Sequence, residues 1–462
     1  MQRISVLVFL WAFFHGWVFS ADITVDVSSL KPIHVIDSKF VGVTIDIQRI
    51  IHHFKHNDIT SKKFINLAKG LLPCYLRVGG GAQKYLTFAT HKNQTLTRDD
   101  WDKLNIMVKD VGWDLIFGLN LNLRKNGKWD PVDAIQLFQY TIEKGYHVAG
   151  WELGNEPDLH HSAISNLSMT SIASDFDILK TILDSIPEIK PYILVGGDFA
   201  HRKNIAGFLE GGAGHTVDAV TFHHYYMNGK TAQLDDFYSL DKLNTFEGYV
   251  EWAIATSKNY GNKPIWLGET SSGYGGGTPN LADRYVAGFM WLDKLGVSAS
   301  RGIKGVFRQT LFGGNYALVS DSNIPNPDYW LTVLYKRLVG SPVLTPPNTN
   351  NRNIRMYAHC TNRNSDYNYP AGSVTIYMLN VGNTSVTVNL GHKDHLDLYM
   401  LTPGSKGGLA SQTVKLNEKE LFLYHDDQLP PLPGYKTLGD VTLEEHTFGF
   451  VVLPSVQASA CK

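Results

Sequence analysis

Between residues 41 and 309 the chain repeats one arrangement eight times: a short, strongly apolar run of strand character, ending in a small or polar residue, then usually a longer segment compatible with a helix. The runs are 41–47, 75–78, 114–118, 148–153, 192–195, 219–223, 264–267 and 305–309, and the segments between them include 60–71, 101–111, 131–144, 173–186, 240–260 and 281–295. Short continuous apolar runs suit strands buried on both faces, and regular alternation with helices calls for parallel strands. Eight such units predict an α/β fold, a closed (β/α)8 TIM barrel over residues 38–340. A doubly wound open sheet is the rival, but it normally holds fewer strands, and no dinucleotide-type glycine pattern follows the first run.

From about residue 341 the texture changes. Pro342, Pro346 and Pro347 mark a joint, and short alternating runs follow at 354–360, 373–380, 384–390, 396–401, 421–424 and 447–452, separated by polar, turn-rich stretches. They predict a second, smaller antiparallel β-sandwich domain over residues 341–462. Residues 21–37 precede the barrel and contain a strand-like stretch at 23–27, which is expected to join the β-domain.

Residues 1–20 stand outside the fold. A polar start with Arg3, an apolar stretch from Ile4 to Phe14, and Val18 and Ser20 before the cut read as a cleaved secretory signal. The product is therefore expected to be secreted, extracellular or lysosomal, with no membrane attachment once the signal is removed. Three cysteines allow at most one internal bridge. Cys461 beside the chain end is paired here with Cys360 in a strand-like run, and Cys74 is expected to be a buried thiol. Asn93, Asn166 and Asn383 carry the glycosylation signal. With 42 basic and 43 acidic side chains, the chain has no bulk charge for holding nucleic acid, and a monomer is expected.

Two of the eight runs end in a glutamate. The fourth closes as Trp151-Glu152-Leu153-Gly154-Asn155-Glu156-Pro157-Asp158 and the seventh as Trp266-Leu267-Gly268-Glu269-Thr270. Barrel enzymes place their chemistry at C-terminal strand ends. Glycosidic cleavage needs one carboxyl group to protonate the leaving oxygen and another to attack or to activate water. Strand order alone leaves Glu152, Glu156 and Asp158 open as partners of Glu269. Glu156, between an Asn and a Pro, has the better posture, while Glu152 inside the run reads as a buried, paired acid. The bland alternative, salt bridges and helix caps, fits either strand end alone better than it fits both together. His223-His224 and His160-His161 invite a metal reading, but adjacent strand residues face opposite ways and no further ligand at useful spacing completes a set. No metal and no cofactor are expected. A serine hydrolase would need a nucleophile elbow, and none occurs.

Asn155-Glu156 after the fourth run and Glu269 closing the seventh resemble the retaining glycosidases built on such barrels. More narrowly, the chain resembles the heparanase family, glycoside hydrolase family 79. The matching pieces are Val43-Thr44-Ile45-Asp46, Tyr75-Leu76-Arg77-Val78-Gly79-Gly80, Trp151 through Pro157, Thr221-Phe222-His223-His224-Tyr225-Tyr226, Trp266 through Ser272, Tyr274-Gly275-Gly276-Gly277 and Arg308-Gln309. The resemblance covers nearly all of the chain beyond the signal. It implies Glu156 as acid/base and Glu269 as the nucleophile of a covalent glycosyl-enzyme. It implies further that Asn155 bonds the sugar 2-hydroxyl, Tyr225 contacts the nucleophile side, and Asp46 and Gln309 line the sugar subsite. Gly275, Gly276 and Tyr316 would recognise the glucuronate carboxylate, a role that glycines suit because their N–H groups can approach an anion closely.

The implied activity is that of a retaining endo-β-glucuronidase acting on a glycosaminoglycan. Arg202 and Lys203 after the fifth run and Lys230 after the sixth resemble basic cleft positions of the family and would suit sulfated heparan sulfate. Lys62, Lys63 and Lys69 either extend that patch or form a solvated helix face. The connection from Gly80 to Asp114 has room for a loop and one helix, not for the long excised linker of heparanase-type proenzymes, so no internal maturation cut is expected. Gly81 stands where heparanase carries threonine, which removes one expected contact. Linker organisation and neutral charge lean the reading to hyaluronan, with heparan sulfate as the alternative. An exo-β-glucuronidase and a non-catalytic glycosaminoglycan-binding protein stand behind both.

Overall fold

The computed structural model describes residues 22–462 except 56, 89–94, 160–163 and 165. The secretory-signal reading, Asn93 and the His160-His161 pair therefore lie outside the described residues. Eight parallel strands close into a barrel. They are β1 (Val41–Asp46), β2 (Tyr75–Gly79), β3 (Asp114–Leu119), β4 (Gly150–Leu153), β5 (Ile193–Phe199), β6 (Ala219–Asn228), β7 (Ile265–Tyr274) and β8 (Gly305–Arg308). Each pairs with its sequence neighbours, and β8 closes the ring on β1 with Val306 opposite Val41. Most of their residues are buried, β4 along its whole length, because helices cover the outside and side chains fill the inside.

The helix Arg98–Val111 shows how local sequence seats one of these strands. The Thr97 side chain accepts the Asp100 N–H and the Asp100 carboxylate accepts the Thr97 N–H, a reciprocal cap that starts the helix. Gly112, at φ 85°, stops it in the left-handed conformation that glycine adopts without steric cost. Trp101, Leu104, Val108 and Val111 recur at helical spacing and are buried. The Trp101 ring meets Phe117 of β3 at 4.7 Å and Trp151 of β4 at 6.4 Å. Truncating such a tryptophan to alanine costs about 3–5 kcal/mol. The packing presses from behind on the strand that leads into Glu156.

The last barrel helix, Pro327–Leu338, runs directly into the strand Val339–Leu344. The joint thus precedes the Pro342, Pro346 and Pro347 region read as a linker. Pro342 lies inside that strand opposite Val35, beside a register irregularity that tolerates its missing N–H. A nine-stranded sheet follows, built mainly from Val339–Leu344, Ile354–Thr361, Val374–Asn380, Thr447–Leu453 and Leu396–Pro403, with Pro32–Val35 added at one edge. Residues 421–424 form no strand; the nearby pairing belongs to Lys419–Glu420. A separate sheet joins Ile23–Thr24, Val386–Asn389 and Val441–Leu443, and its first pairing is parallel, unlike the antiparallel pattern expected throughout.

The strand Ile354–Thr361 explains how the two halves hold together. Ile354, Met356, Ala358 and Cys360 share an apolar cluster with residues of the small sheet, such as Ile23, Val388 and Val441. Tyr357, on the other face, belongs to the barrel core, and its hydroxyl donates to Asp293 Oδ1 at 2.6 Å. Cys360 and Cys461 form a disulfide, and Cys74 is a buried free thiol. Asn166 and Asn383 are exposed. Among the described residues no helix is long and apolar enough to cross a membrane.

Candidate active site

Arg77 of β2 is the centre around which the strand ends are organised. Its side chain is 1% exposed, and its guanidinium spans three other strands. Nε donates to Glu152 Oε2 at 2.8 Å, Nη1 to Glu269 Oε2 at 3.1 Å and Nη2 to Asn155 Oδ1 at 3.0 Å; Nη2 also lies 3.3 Å from Asp198 Oδ1. A buried guanidinium is tolerable only with such partners, and breaking one buried pair typically costs about 3–5 kcal/mol. Burial works against its charge, but Glu152, Asp198 and Glu269 together raise its pKa. Burial likewise pushes Glu152 up, against the pull of Arg77. Glu152 is thus the structural acid of the β4 run.

Glu269 is gripped from both sides. Arg77 holds Oε2, and the Tyr225 hydroxyl donates to Oε1 at 2.6 Å. Burial, then the Glu269 charge, raises the Tyr225 pKa well above the usual phenol value, so the phenol remains a donor. Glu156 is less confined, with its side chain 23% exposed. Its backbone takes φ 45°, a left-handed conformation that costs a non-glycine residue about 1–3 kcal/mol. The Glu156 N–H donating to Asp198 O at 2.9 Å helps hold that turn. Asp158, the third acid left open by the sequence, is spent on structure: it accepts the Ala200 and His201 N–H groups and the Asn204 side-chain amide.

His223 links the acid in the turn after β4 to the acid on β5. Nδ1 lies 2.9 Å from Glu156 Oε1 and Nε2 3.4 Å from Asp198 Oδ1. Burial lowers its pKa, but Glu269, Asp198 and Glu156 outweigh that and raise it to about 10. The imidazolium donates through both nitrogens at neutral pH. Burial raises Asp198, yet Arg77 and His223 bring it below the usual carboxylate value. His224 points the other way, against Tyr226, Phe246 and Tyr249.

No third ligand beside His223 was visible at sequence spacing, yet the fold supplies two. One atom each of Glu156, His223 and Glu269 lie within 4.8 Å of one another, close enough to share an ion. The hydrogen bonds just described already employ both His223 nitrogens and both Glu269 oxygens, and the donors Arg77 and Tyr225 suit a bare carboxylate.

Asp46 ends β1, where its side chain accepts the Gln48 N–H; burial, with the Glu269 charge, lifts its pKa to about 6. Gln309 lies just past β8, and its Oε1 accepts from Thr44. Gln309 Nε2 stands 3.5 Å from the Tyr316 hydroxyl, and Tyr316 stacks on Tyr225 with centroids 6.4 Å apart. Gly275, Gly276 and Gly277 follow β7 with φ of 80°, 92° and 82°. The Asn315 N–H donates to Gly276 O at 2.7 Å, and a Cβ on Gly277 would stand 2.9 Å from Tyr316 Cδ1, so glycine is required there by both conformation and space.

The basic positions fare differently. The Arg202 guanidinium donates to Gly248 O at 2.7 Å and lies 3.8 Å over the Tyr249 ring, so the helix Leu240–Asn259 takes it up rather than a cleft anion. Lys203 and Lys230 are exposed. Lys69 lines a recess with Phe40, Pro73 and Lys336 at the opposite end of the barrel from the carboxylates. Sequence reasoning assigned no role to Arg77, Asp198 or His223. A single charge inside an apolar strand, as in Leu76-Arg77-Val78, was the available signal, because a buried charge must find partners.

A family model for the N-terminal domain of glycosyl hydrolase family 79 matches residues 84–296. A hyaluronoglucuronidase of Hirudo nipponia is 36% identical, over 96% of this chain and 99% of its own. Heparanase of Gallus gallus is 39% identical, over 80% of this chain and 73% of its own. Among solved structures, a 4-O-α-L-rhamnosyl-β-D-glucuronidase of Fusarium oxysporum 12S shares the fold with a TM-score of 0.68 at 16% identity, covering 93% of this chain and 100% of that one. With a 36% identical relative matched over 96% of this chain and 99% of its own length, and a family match spanning both glutamates, this chain belongs to glycosyl hydrolase family 79 and is a glycoside hydrolase.

Proposed function

We propose that the enzyme hydrolyses β-glucuronic linkages within a glycosaminoglycan by double displacement, with hyaluronan as its preferred polymer. The observation that carries the proposal is the approach of Glu156 and Glu269, one oxygen of each lying within 4.8 Å of the other. Retaining glycosidases hold their two carboxyl groups about 5–5.5 Å apart, whereas inverting ones leave about 6.5–9.5 Å for a water. In the first step Glu269 attacks the anomeric carbon while Glu156 gives its proton to the glycosidic oxygen, and the leaving chain departs with that proton. In the second, Glu156 takes a proton from water, the water oxygen attacks the same carbon, and the bond to Glu269 breaks. Arg77 and Tyr225 aim the nucleophile and balance its charge through both steps.

Asn155, whose Oδ1 is occupied by Arg77, has its amide NH2 left to meet the sugar 2-hydroxyl. Asp46 and Gln309 line the ring, and the N–H groups of Gly275 and Gly276 with Tyr316 take its carboxylate. Two observations favour hyaluronan. The Hirudo nipponia relative is a hyaluronoglucuronidase matched over 96% of this chain. Arg202, expected to meet sulfates, is engaged by Gly248 and Tyr249. Secretion is part of the same proposal, since a Cys360–Cys461 disulfide suits an oxidising compartment.

The test is to incubate the purified protein with hyaluronan and with heparan sulfate, size the products and follow the anomer first formed. Intermediate oligosaccharides with a β-glucuronate reducing end are expected. Release of free glucuronate alone would refute endo action, an initial α-anomer would refute retention, and faster cleavage of heparan sulfate would refute the polymer preference.

A further inference from the structure

A shallow recess, enclosing about 30 Å³ and otherwise open to solvent, begins at Asn155 and Glu156 and is lined by Gly81, Lys84, Leu121, Asn122 and Leu159. Neither Glu269 and Tyr225 nor the glycine loop and Tyr316 contribute to its described lining. It shares Asn155 with the sugar subsite and opens from the proposed acid/base away from the nucleophile and the glycine loop. The glycosidic oxygen receives its proton from Glu156, so the sugar bonded to that oxygen and leaving with it has to lie beside Glu156.

The walls have a chemistry of their own. Lys84 is the one cation in the described lining, partly exposed, with Nζ 5.2 Å from the ring of exposed Tyr85. The Asn122 backbone N–H donates to Asn120 Oδ1 at 2.8 Å, which fixes the main chain where Asn122 lines the wall. Leu121 and Leu159 supply an apolar flank. Gly81 is exposed, and a Cβ built on it meets nothing within 4 Å, so the entrance stays wide.

We propose that Gly81, Lys84 and Asn122 form the leaving-group subsite and determine which polymer is cut. Asn122 hydrogen-bonds the acetamido group of an N-acetylhexosamine, whose methyl packs on Leu121 and Leu159. Lys84 pairs with the carboxylate of the uronic acid beyond it, and Gly81 leaves room for the chain to pass. The inference rests on Glu156 and Glu269 acting as proposed above.

The test compares two reactions of the same protein. One is turnover of hyaluronan oligosaccharides, in which a sugar chain leaves. The other is covalent labelling by 2-deoxy-2-fluoro-β-D-glucuronyl fluoride, in which a single fluoride leaves and no leaving-group subsite is filled. Lys84→Gln, Asn122→Ala and Gly81→Leu should each lower kcat/KM on the oligosaccharides by about tenfold or more, the scale of one charge-assisted or well-placed polar contact. Labelling should stay within about twofold of the unmodified protein. Gly81→Leu guards against misfolding, because its side chain enters open space. Unchanged turnover in Lys84→Gln and Asn122→Ala overturns the subsite, and so does a parallel fall in labelling, which marks a merely structural effect. Labelling of the unmodified protein at a residue other than Glu269, or none at all, refutes the catalytic assignment and the subsite with it.

Discussion

Replacing Tyr225 by phenylalanine isolates one hydrogen bond of the proposed nucleophile. The hydroxyl donates to Glu269 Oε1 at 2.6 Å, while the ring stacks on Tyr316 at 24° and 6.4 Å. Phenylalanine keeps the ring and the stack, so only the donor is lost. A hydrogen bond to a charged group contributes about 1.5–3 kcal/mol. Arg77 still holds Oε2, but Glu269 loses its second anchor and part of its orientation. At one decade per 1.36 kcal/mol, the loss corresponds to about a 10- to 150-fold fall in kcat/KM. The hydroxyl is directed at Glu269 and not at the sugar, so the fall should sit in kcat. Initial rates of reducing-end formation on hyaluronan measure it, and labelling by the 2-fluoro-glucuronyl fluoride should slow in parallel because that step uses the same nucleophile. A variant within twofold of the unmodified rate would refute the reasoning. So would one whose labelling is unaffected while polymer turnover falls.

Glu156→Ala should lower hyaluronan turnover by about 10²- to 10⁴-fold, the usual worth of a general acid/base, yet still be labelled by the fluoride reagent, whose departure needs little protonation; loss of labelling would contradict that role. His223 has a folded pKa raised to about 10, so its contribution to stability is complete below its unperturbed value near 6.5 and is lost as pH rises towards 10. Thermal melts across that interval should fall more steeply for the unmodified protein than for His223→Gln, and equal slopes would refute the assignment. Gly277→Ala places a Cβ 2.9 Å from Tyr316 at φ 82°, which should destabilise the loop by about 1 kcal/mol or more and raise KM; an unchanged KM would detach this loop from substrate. Cys360→Ser opens a loop of sequence separation 101 and should cost about 2–5 kcal/mol in urea unfolding, with no change in the midpoint as the refuting result.

The barrel was legible because burial leaves its mark locally. A strand covered on both faces must be apolar along its whole length, and a helix laid over it must carry apolar residues at helical spacing, as 98–111 does. The glutamates were legible for the same reason: each lies just past an apolar run, Glu156 after Gly154-Asn155 and Glu269 after Gly268, and barrel enzymes act at the C-terminal side of their strands. Choosing Glu156 over Asp158 and Glu152 required contacts. Asp158 is spent on the turn after β5 and Glu152 on Arg77, and neither partner is near in sequence. Arg202 misled for the converse reason, since sequence places it next to a strand end while the Tyr249 face draws its guanidinium away.

What the sequence determined by itself was a pattern of eight strands and the strand ends on which two carboxyl groups sit. Only the tertiary structure decided how those groups are held. Residues 77, 152, 198, 223 and 269 come from five different strands, and closure of the ring is what brings them together. Periodicity is a property of neighbours along the chain, whereas the charge balance of a buried site is a property of neighbours in space. Arg77 and His223 acquire their roles, and Glu156 and Glu269 their spacing, only after the barrel has closed.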